Sequence, residues 1–133
     1  MNVVLDASVL VAALTDCGSE GTWAESVMKA GTMATPQLAP VETVNILRRL
    51  ELSGVISRLE AGAALRDLLD LDLELLPFAP FGKRVWELRQ NVVAYDAWYV
   101  AAAEALAAPL ATLDRRLARA VGPRCQFLLP PAK

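Results

Sequence analysis

Apolar and polar positions along the chain change rhythm between strand-like and helix-like segments. Val3-Val4-Leu5 is a short apolar, β-branched run, suited to a strand covered on both faces. Ser8 to Leu14 reads as a helix that follows at once, and Gly18, Ser19 and Gly21 break the chain after it. Thr22 is the expected N-cap of a second helix running to Ala30. Thr32 to Thr35 is a brief strand candidate. Pro40 suits the first position of a helix that continues over Val41 to Leu52 and ends at Gly54.

Ser57 and Glu60 have the spacing of a capping box, predicting a helix to about Leu69. Leu71, Leu73 and Leu75 alternate with Asp72 and Glu74, predicting a half-buried strand that stops at Pro77. Pro80 to Asn91 reads as helical. Asp96 is expected to cap a further helix ending before Pro109. Leu110 to Leu113 is a short strand, Asp114 opens a last short helix stopped at Gly122, and Gln126 to Leu129 adds an edge strand. Strands separated by helices predict an α/β fold, an α/β/α sandwich around a central, mainly parallel sheet. With 133 residues and no repeat, linker or low-complexity stretch, residues 1–133 are expected to form a single domain.

In such sheets ligands bind beyond the carboxyl ends of the strands. Asp6 ends the first strand and Asp114 ends the Leu110 to Leu113 strand, so parallel pairing would bring both to one edge. Asp96 and Glu42 stand at helix starts, where the helix dipole favours negative charge. Taken singly, Asp96 and Asp114 are ordinary N-caps and Glu42 is ordinary dipole complementation. Asp6 resists that reading. It lies between the first strand and the run Val9 to Leu14, and a carboxylate buried there is costly unless it is paired or binds a metal.

Composition narrows the chemistry. Hydrophobic residues make up 55% of the chain, much of the excess being alanine, which fits close-packed helices. No apolar run approaches the length of a membrane span, and Asp6 interrupts an N-terminus that has no basic leader, so a cytoplasmic protein is expected. There is no histidine, which excludes Ser-His-Asp and Cys-His catalysis and removes the commonest transition-metal ligand. Cys17 and Cys125 have no zinc spacing and are expected as free thiols.

If the four acids converge, a hard divalent cation with oxygen ligands is the natural counter-charge, magnesium or manganese above calcium. Such an ion lowers the pKa of a bound water, orients it toward a phosphodiester phosphorus and neutralises phosphate charge. The formal net charge is -2, yet after Asp114 come Arg115, Arg116, Arg119, Arg124 and Lys133 with no acid among them. That stretch is either a phosphate-reading patch beside an acidic pocket or a solvated helix face.

At these residues the chain resembles the PIN-domain family, especially the VapC toxins of bacterial toxin–antitoxin pairs. VVLDASVLVAAL is similar to the family's first strand, with its acid at Asp6 and a hydroxyl at Ser8. PQLAPVETVNILRRL resembles the helix of the second acid, here Glu42, and YDAWYVAAAEALAAPLATLDRRL the segment giving Asp96, Thr112 and Asp114. The resemblance spans essentially the whole chain. It implies a Mg²⁺- or Mn²⁺-dependent endoribonuclease toxin leaving a 5′-phosphate, a homodimer and a cognate VapB-type antitoxin. Ser8 and Thr112 are candidate supporting residues, with local helix capping as the alternative. Arg115, Arg116 and Tyr95 are candidate RNA contacts, and Asn45 is a further neighbour of Glu42. Trp23, Trp86, Trp98 and Tyr99 are expected in the core or at a dimer contact.

Other acid-bearing folds fit less well. A receiver domain needs paired acids after its first strand. A haloacid-dehalogenase-type phosphatase needs Asp-x-Asp, but Ser8 holds the third position. No glycine-rich phosphate loop occurs. The remaining alternative is a non-cleaving PIN-like module that binds RNA or protein.

Overall fold

A computed structural model describes residues 2–132. Five strands form one sheet: β1 (Asn2–Leu5), β2 (Thr32–Pro36), β3 (Leu73–Leu76), β4 (Leu110–Ala111) and β5 (Phe127–Leu128). The order is β3-β2-β1-β4-β5 and every pairing is parallel. The helices between them are α1 (Ala7–Thr15), α2 (Ser19–Lys29), α3 (Ala39–Leu52), α4 (Arg58–Asp70), α5 (Gly82–Glu87), α6 (Ala94–Leu106) and α7 (Arg115–Ala118). The expected α/β/α sandwich is the fold observed.

The connections explain the layers. From β1 through β2 to β3 the chain steps in one direction, and α1 to α4 pack against one another. From β3 it crosses back to β4, and α6 lies across β1, β2 and β4 with α5 beside it. Right-handed crossovers place these two helix groups on opposite faces. The strand order reverses between β1 and β4, which pair through Val4 with Leu110 and Leu5 with Ala111. The crevice beyond that reversal is where such sheets bind ligands.

The core follows the composition. Val4, Leu5, Val9, Leu10 and Leu110 are fully buried. In α6 the run from Ala101 to Ala103 is buried with Val100, so small side chains let the helix settle close on the sheet.

Several boundaries differ from the sequence expectation. The α2 helix starts at Ser19, ahead of the expected Thr22 cap, and runs straight through Gly21. A Cβ at Gly21 would lie 1.8 Å from the Asp16 carbonyl oxygen. Gly21 therefore permits a close approach of two backbones and does not break the helix. The Pro80 to Asn91 helix is broken into a 3₁₀ turn over Ala79–Phe81, the short α5, and turns to Asn91 closed by i→i+3 bonds such as Asn91 N–H to Leu88 O. On β3, Leu73 packs on the core but Leu75 is exposed and Leu76 is buried. The strand is an edge, so its alternation does not mark one covered face.

Other readings hold. The Ser57–Glu60 capping box is present, with Glu60 N–H donating to Ser57 Oγ at 3.0 Å and Ser57 N–H to Glu60 Oε1 at 2.9 Å. Gly54 has φ +80, the left-handed conformation glycine tolerates best after a helix. Cys17 and Cys125 are free thiols, and burial raises the Cys125 thiol to about 11. Among the described residues no helix is long and apolar enough to cross a membrane.

Candidate active site

Asp6 sits where β1 becomes α1, and it is buried. As the α1 N-cap, its Oδ1 accepts from Ser8 N–H at 2.9 Å and Val9 N–H at 3.3 Å, and from the Ser8 hydroxyl. Its Oδ2 accepts from the Thr112 hydroxyl. Burial pushes the Asp6 carboxyl above its usual range, while these donors from Ser8, Thr112 and the helix start pull it back down.

Thr112 directly follows β4 and is fully buried. Its Oγ1 also accepts the Asp114 N–H at 3.0 Å, so one hydroxyl links the two strand-end acids. Ser8 is doubly engaged as well, for its Oγ accepts the Leu113 N–H at 3.2 Å. These contacts run from β1 to β4, across the reversal of strand order. Asp114 caps α7, its Oδ1 accepting from Arg116 N–H at 2.9 Å and Leu117 N–H at 3.1 Å.

Glu42 and Asp96 come from opposite helix groups. Glu42, in the first turn of α3, accepts from the Tyr99 hydroxyl at 3.3 Å. Burial raises the Glu42 carboxyl despite that bond, and Asp6 raises it further. Asp96 lies in the first turn of α6 but does not cap it: the cap position is Val93, three residues upstream of the expected cap at Asp96. Freed from capping, Asp96 is pushed up to about 6, first by burial and then by the negative charges of Asp6, Asp114 and Glu42. Asp96 thus feels the charge of the other three acids, and Glu42 that of Asp6.

Tyr99 has a second role that the sequence did not assign. It is buried in the core as expected, yet its hydroxyl reaches the acid cluster. Burial first, then Glu42 and Asp6, keep the phenol protonated well above its ordinary range, so it acts as a donor. The available signal was its place three residues after Asp96, on the same helix face.

The candidate RNA contacts separate. Arg116 lines a cleft of about 510 Å³ together with Asp96 and Asp114. Arg115 turns away, donating to the Pro130 carbonyl oxygen at 2.6 Å and lining a different groove beside Trp23. Tyr95 is exposed in the first turn of α6 next to Asp96. Asn45 is exposed on α3. Trp98 packs edge-on against Phe78 at 5.3 Å, whereas Trp86 is exposed with the Arg89 guanidinium 4.3 Å above its ring. Lys133 lies outside the described residues.

The donor set fits a hard cation. Both ion pairs among the described residues use Arg84, with Glu87 and Glu104, and neither involves any of the four acids. Four mutually repelling carboxylates without a cationic partner suit a divalent ion with oxygen ligands. Among the described residues no three of these groups close into a ready-made cage.

The PIN-domain family model matches residues 3–123. The chain belongs to the PIN-domain family. Within it, this PIN domain is similar to ribonuclease VapC1 of Mycobacterium tuberculosis, 40% identical over 127 residues that cover 95% of this chain and 96% of the relative. It is also similar to ribonuclease VapC9 of the same species, 34% identical and covering 97% and 98%. By these relatives this PIN domain is a ribonuclease of the VapC kind. Its fold resembles the Rickettsia felis VapBC2 structure, solved with a promoter DNA fragment, at TM-score 0.68 and 20% identity, covering 98% of this chain and 100% of that one. The Neisseria gonorrhoeae FitAcB structure matches at TM-score 0.69 and 16% identity, covering 96% and 97%.

Proposed function

We propose that this PIN domain, a single domain over residues 1–133, is the endoribonuclease toxin of a type II toxin–antitoxin pair. In this reading Asp6, Glu42, Asp96 and Asp114 hold Mg²⁺ or Mn²⁺. The observation that carries it is Asp96, raised to about 6 by burial and by three other acids, with no cation paired to any of them among the described residues. A hard divalent ion held by a few carboxylates keeps several of its waters.

When bound, the cation supplies Lewis acidity for attack of water on an RNA phosphodiester and offsets the phosphate charge. The chain's residues do the rest. Ser8 and Thr112 fix the Asp6 carboxylate, and Tyr99 fixes Glu42. One of the four carboxylates would accept the proton of the attacking water. Arg116 meets the substrate phosphate in the cleft and Tyr95 stacks on a neighbouring base. Arg115, held by Pro130, takes no part in that contact.

The partners follow from the same reading: an RNA substrate, a cognate VapB-type antitoxin and a second copy in a homodimer, in the cytoplasm. Solved VapBC and FitAB assemblies with this fold support the antitoxin. Incubating the purified, antitoxin-free protein with total cellular RNA in Mg²⁺, Mn²⁺ or EDTA tests the activity. Cleavage in either metal but not in EDTA is expected. Intact RNA under every condition, from folded protein, would point to a non-cleaving binding module.

A further inference from the structure

The cleft that Arg116 shares with Asp96 and Asp114 has a second, uncharged half. Its floor is Val92 and Leu117, both buried, and its mouth carries Val93 and Val121, 64% and 75% exposed. Two exposed aliphatic side chains thus share this cleft with a carboxylate pair and a guanidinium. They suit the flat, weakly polar face of a nucleobase. The cleft, about 510 Å³, falls within the range of ordinary small-ligand pockets.

Its remaining polar groups are Asn91 and Arg116. Neither side chain makes a hydrogen bond or ion pair with another described residue, although Arg116 stands beside two acids. Asn91 comes from the turn that breaks the expected Pro80 to Asn91 helix, so that break places a carboxamide at the cleft. A carboxamide offers a donor pair and an acceptor, enough to tell one base edge from another. A free guanidinium offers a planar fork for phosphate.

We infer that this cleft seats the unpaired nucleotide adjoining the cleaved phosphate, its base against Val93 and Val121, its edge read by Asn91 and its phosphate held by Arg116. The inference rests on the ribonuclease reading and adds a specificity-determining residue, Asn91, to it. Paired RNA does not enter, because its bases are stacked and its edges occupied. The cleaved strand is therefore single at the cut, and the identity of one base beside the cut depends on Asn91.

The test separates binding from cleavage. Anisotropy of a short, fluorescent, unpaired RNA of mixed sequence is measured on the Asp6→Asn protein, which is expected to hold RNA without cutting it. In that background Arg116→Ala and Val121→Asp should each weaken binding about tenfold, and Asn91→Ala about threefold. All three positions are exposed, so the fold is expected to survive, and circular dichroism checks it. Glu20→Gln, beside Trp23 in the other groove, should change nothing. In the cutting protein, Asn91→Ala should broaden the base preference at the cut, read by sequencing the fragment ends. Binding within twofold of the parent in all three variants, or no binding by the parent, overturns the inference. Binding that follows the prediction while the wild-type chain cuts nothing in any metal would instead overturn the ribonuclease reading and leave the cleft in place.

Discussion

Asp6 and Thr112 stand 106 residues apart in sequence and share a hydrogen bond from the threonine hydroxyl to the aspartate Oδ2. The bond crosses from the end of β1 to the end of β4, and the same hydroxyl accepts the Asp114 amide. Thr112 is thus the joint through which two strand-end acids are held in one frame. Thr112→Val keeps the volume but strands the Asp6 oxygen and the Asp114 N–H. It should cost about 1–3 kcal/mol in urea denaturation and lower cleavage, with Thr112→Ser restoring both. A harmless valine variant beside a damaged serine one would mean the methyl packing, not the hydroxyl, is what matters.

Acidity at Asp96 makes the metal-free protein pH-sensitive. Its folded pKa, about 6, lies above the ordinary 3.8 because burial and then Asp6, Asp114 and Glu42 disfavour the charge. The folded chain therefore holds this proton more tightly than the unfolded one. Stability present below about 3.8 is lost as pH rises toward about 6. Asp6 and Glu42 are shifted in the same direction. Melting in EDTA across that window should show a falling Tm, and Asp96→Asn should flatten the fall. Added Mg²⁺ should restore stability above about 6, where the carboxylates are ionised.

Tyr99→Phe removes the donor to Glu42 and the acceptor of the Ala7 N–H while keeping the ring in the core. The expected stability change is small, about 1 kcal/mol. Metal affinity should fall more clearly, about tenfold, because Glu42 loses its anchor. Calorimetric Mn²⁺ titration of the folded variant reads this, and an unchanged isotherm would return Tyr99 to a purely packing role.

Gly21→Ala tests the close approach of α2 to the end of α1. The added methyl meets the Asp16 carbonyl at 1.8 Å, so backbone must move. A loss of about 1–3 kcal/mol in denaturant midpoint is expected, with no change in metal binding per folded molecule.

These residues also show what sequence could carry. Asp6 and Asp114 were readable because a parallel sheet must place its strand ends on one edge, and both acids follow short apolar strands. Asp96 was readable as a helix-start acid but not as an uncapped one, since nothing local shows α6 beginning at Ala94. The break at Asn91 was hidden because helix and 3₁₀ turn share their apolar spacing there, with Leu88 and Val92 both buried. Tyr99 and Arg115 required the fold itself. A buried aromatic looks the same whether its hydroxyl is idle or bonded, and which arginine faces the acids depends on where Pro130 returns.

The account stands on four carboxylates converging to hold a divalent cation. The most direct measurement is calorimetric titration of Mn²⁺ into the wild-type protein and into Asp6→Asn, Glu42→Gln, Asp96→Asn and Asp114→Asn, each verified as folded. The wild type should bind, and each substitution should weaken binding about tenfold or more. An isotherm left unchanged by all four substitutions, or no binding by the wild type, would contradict it.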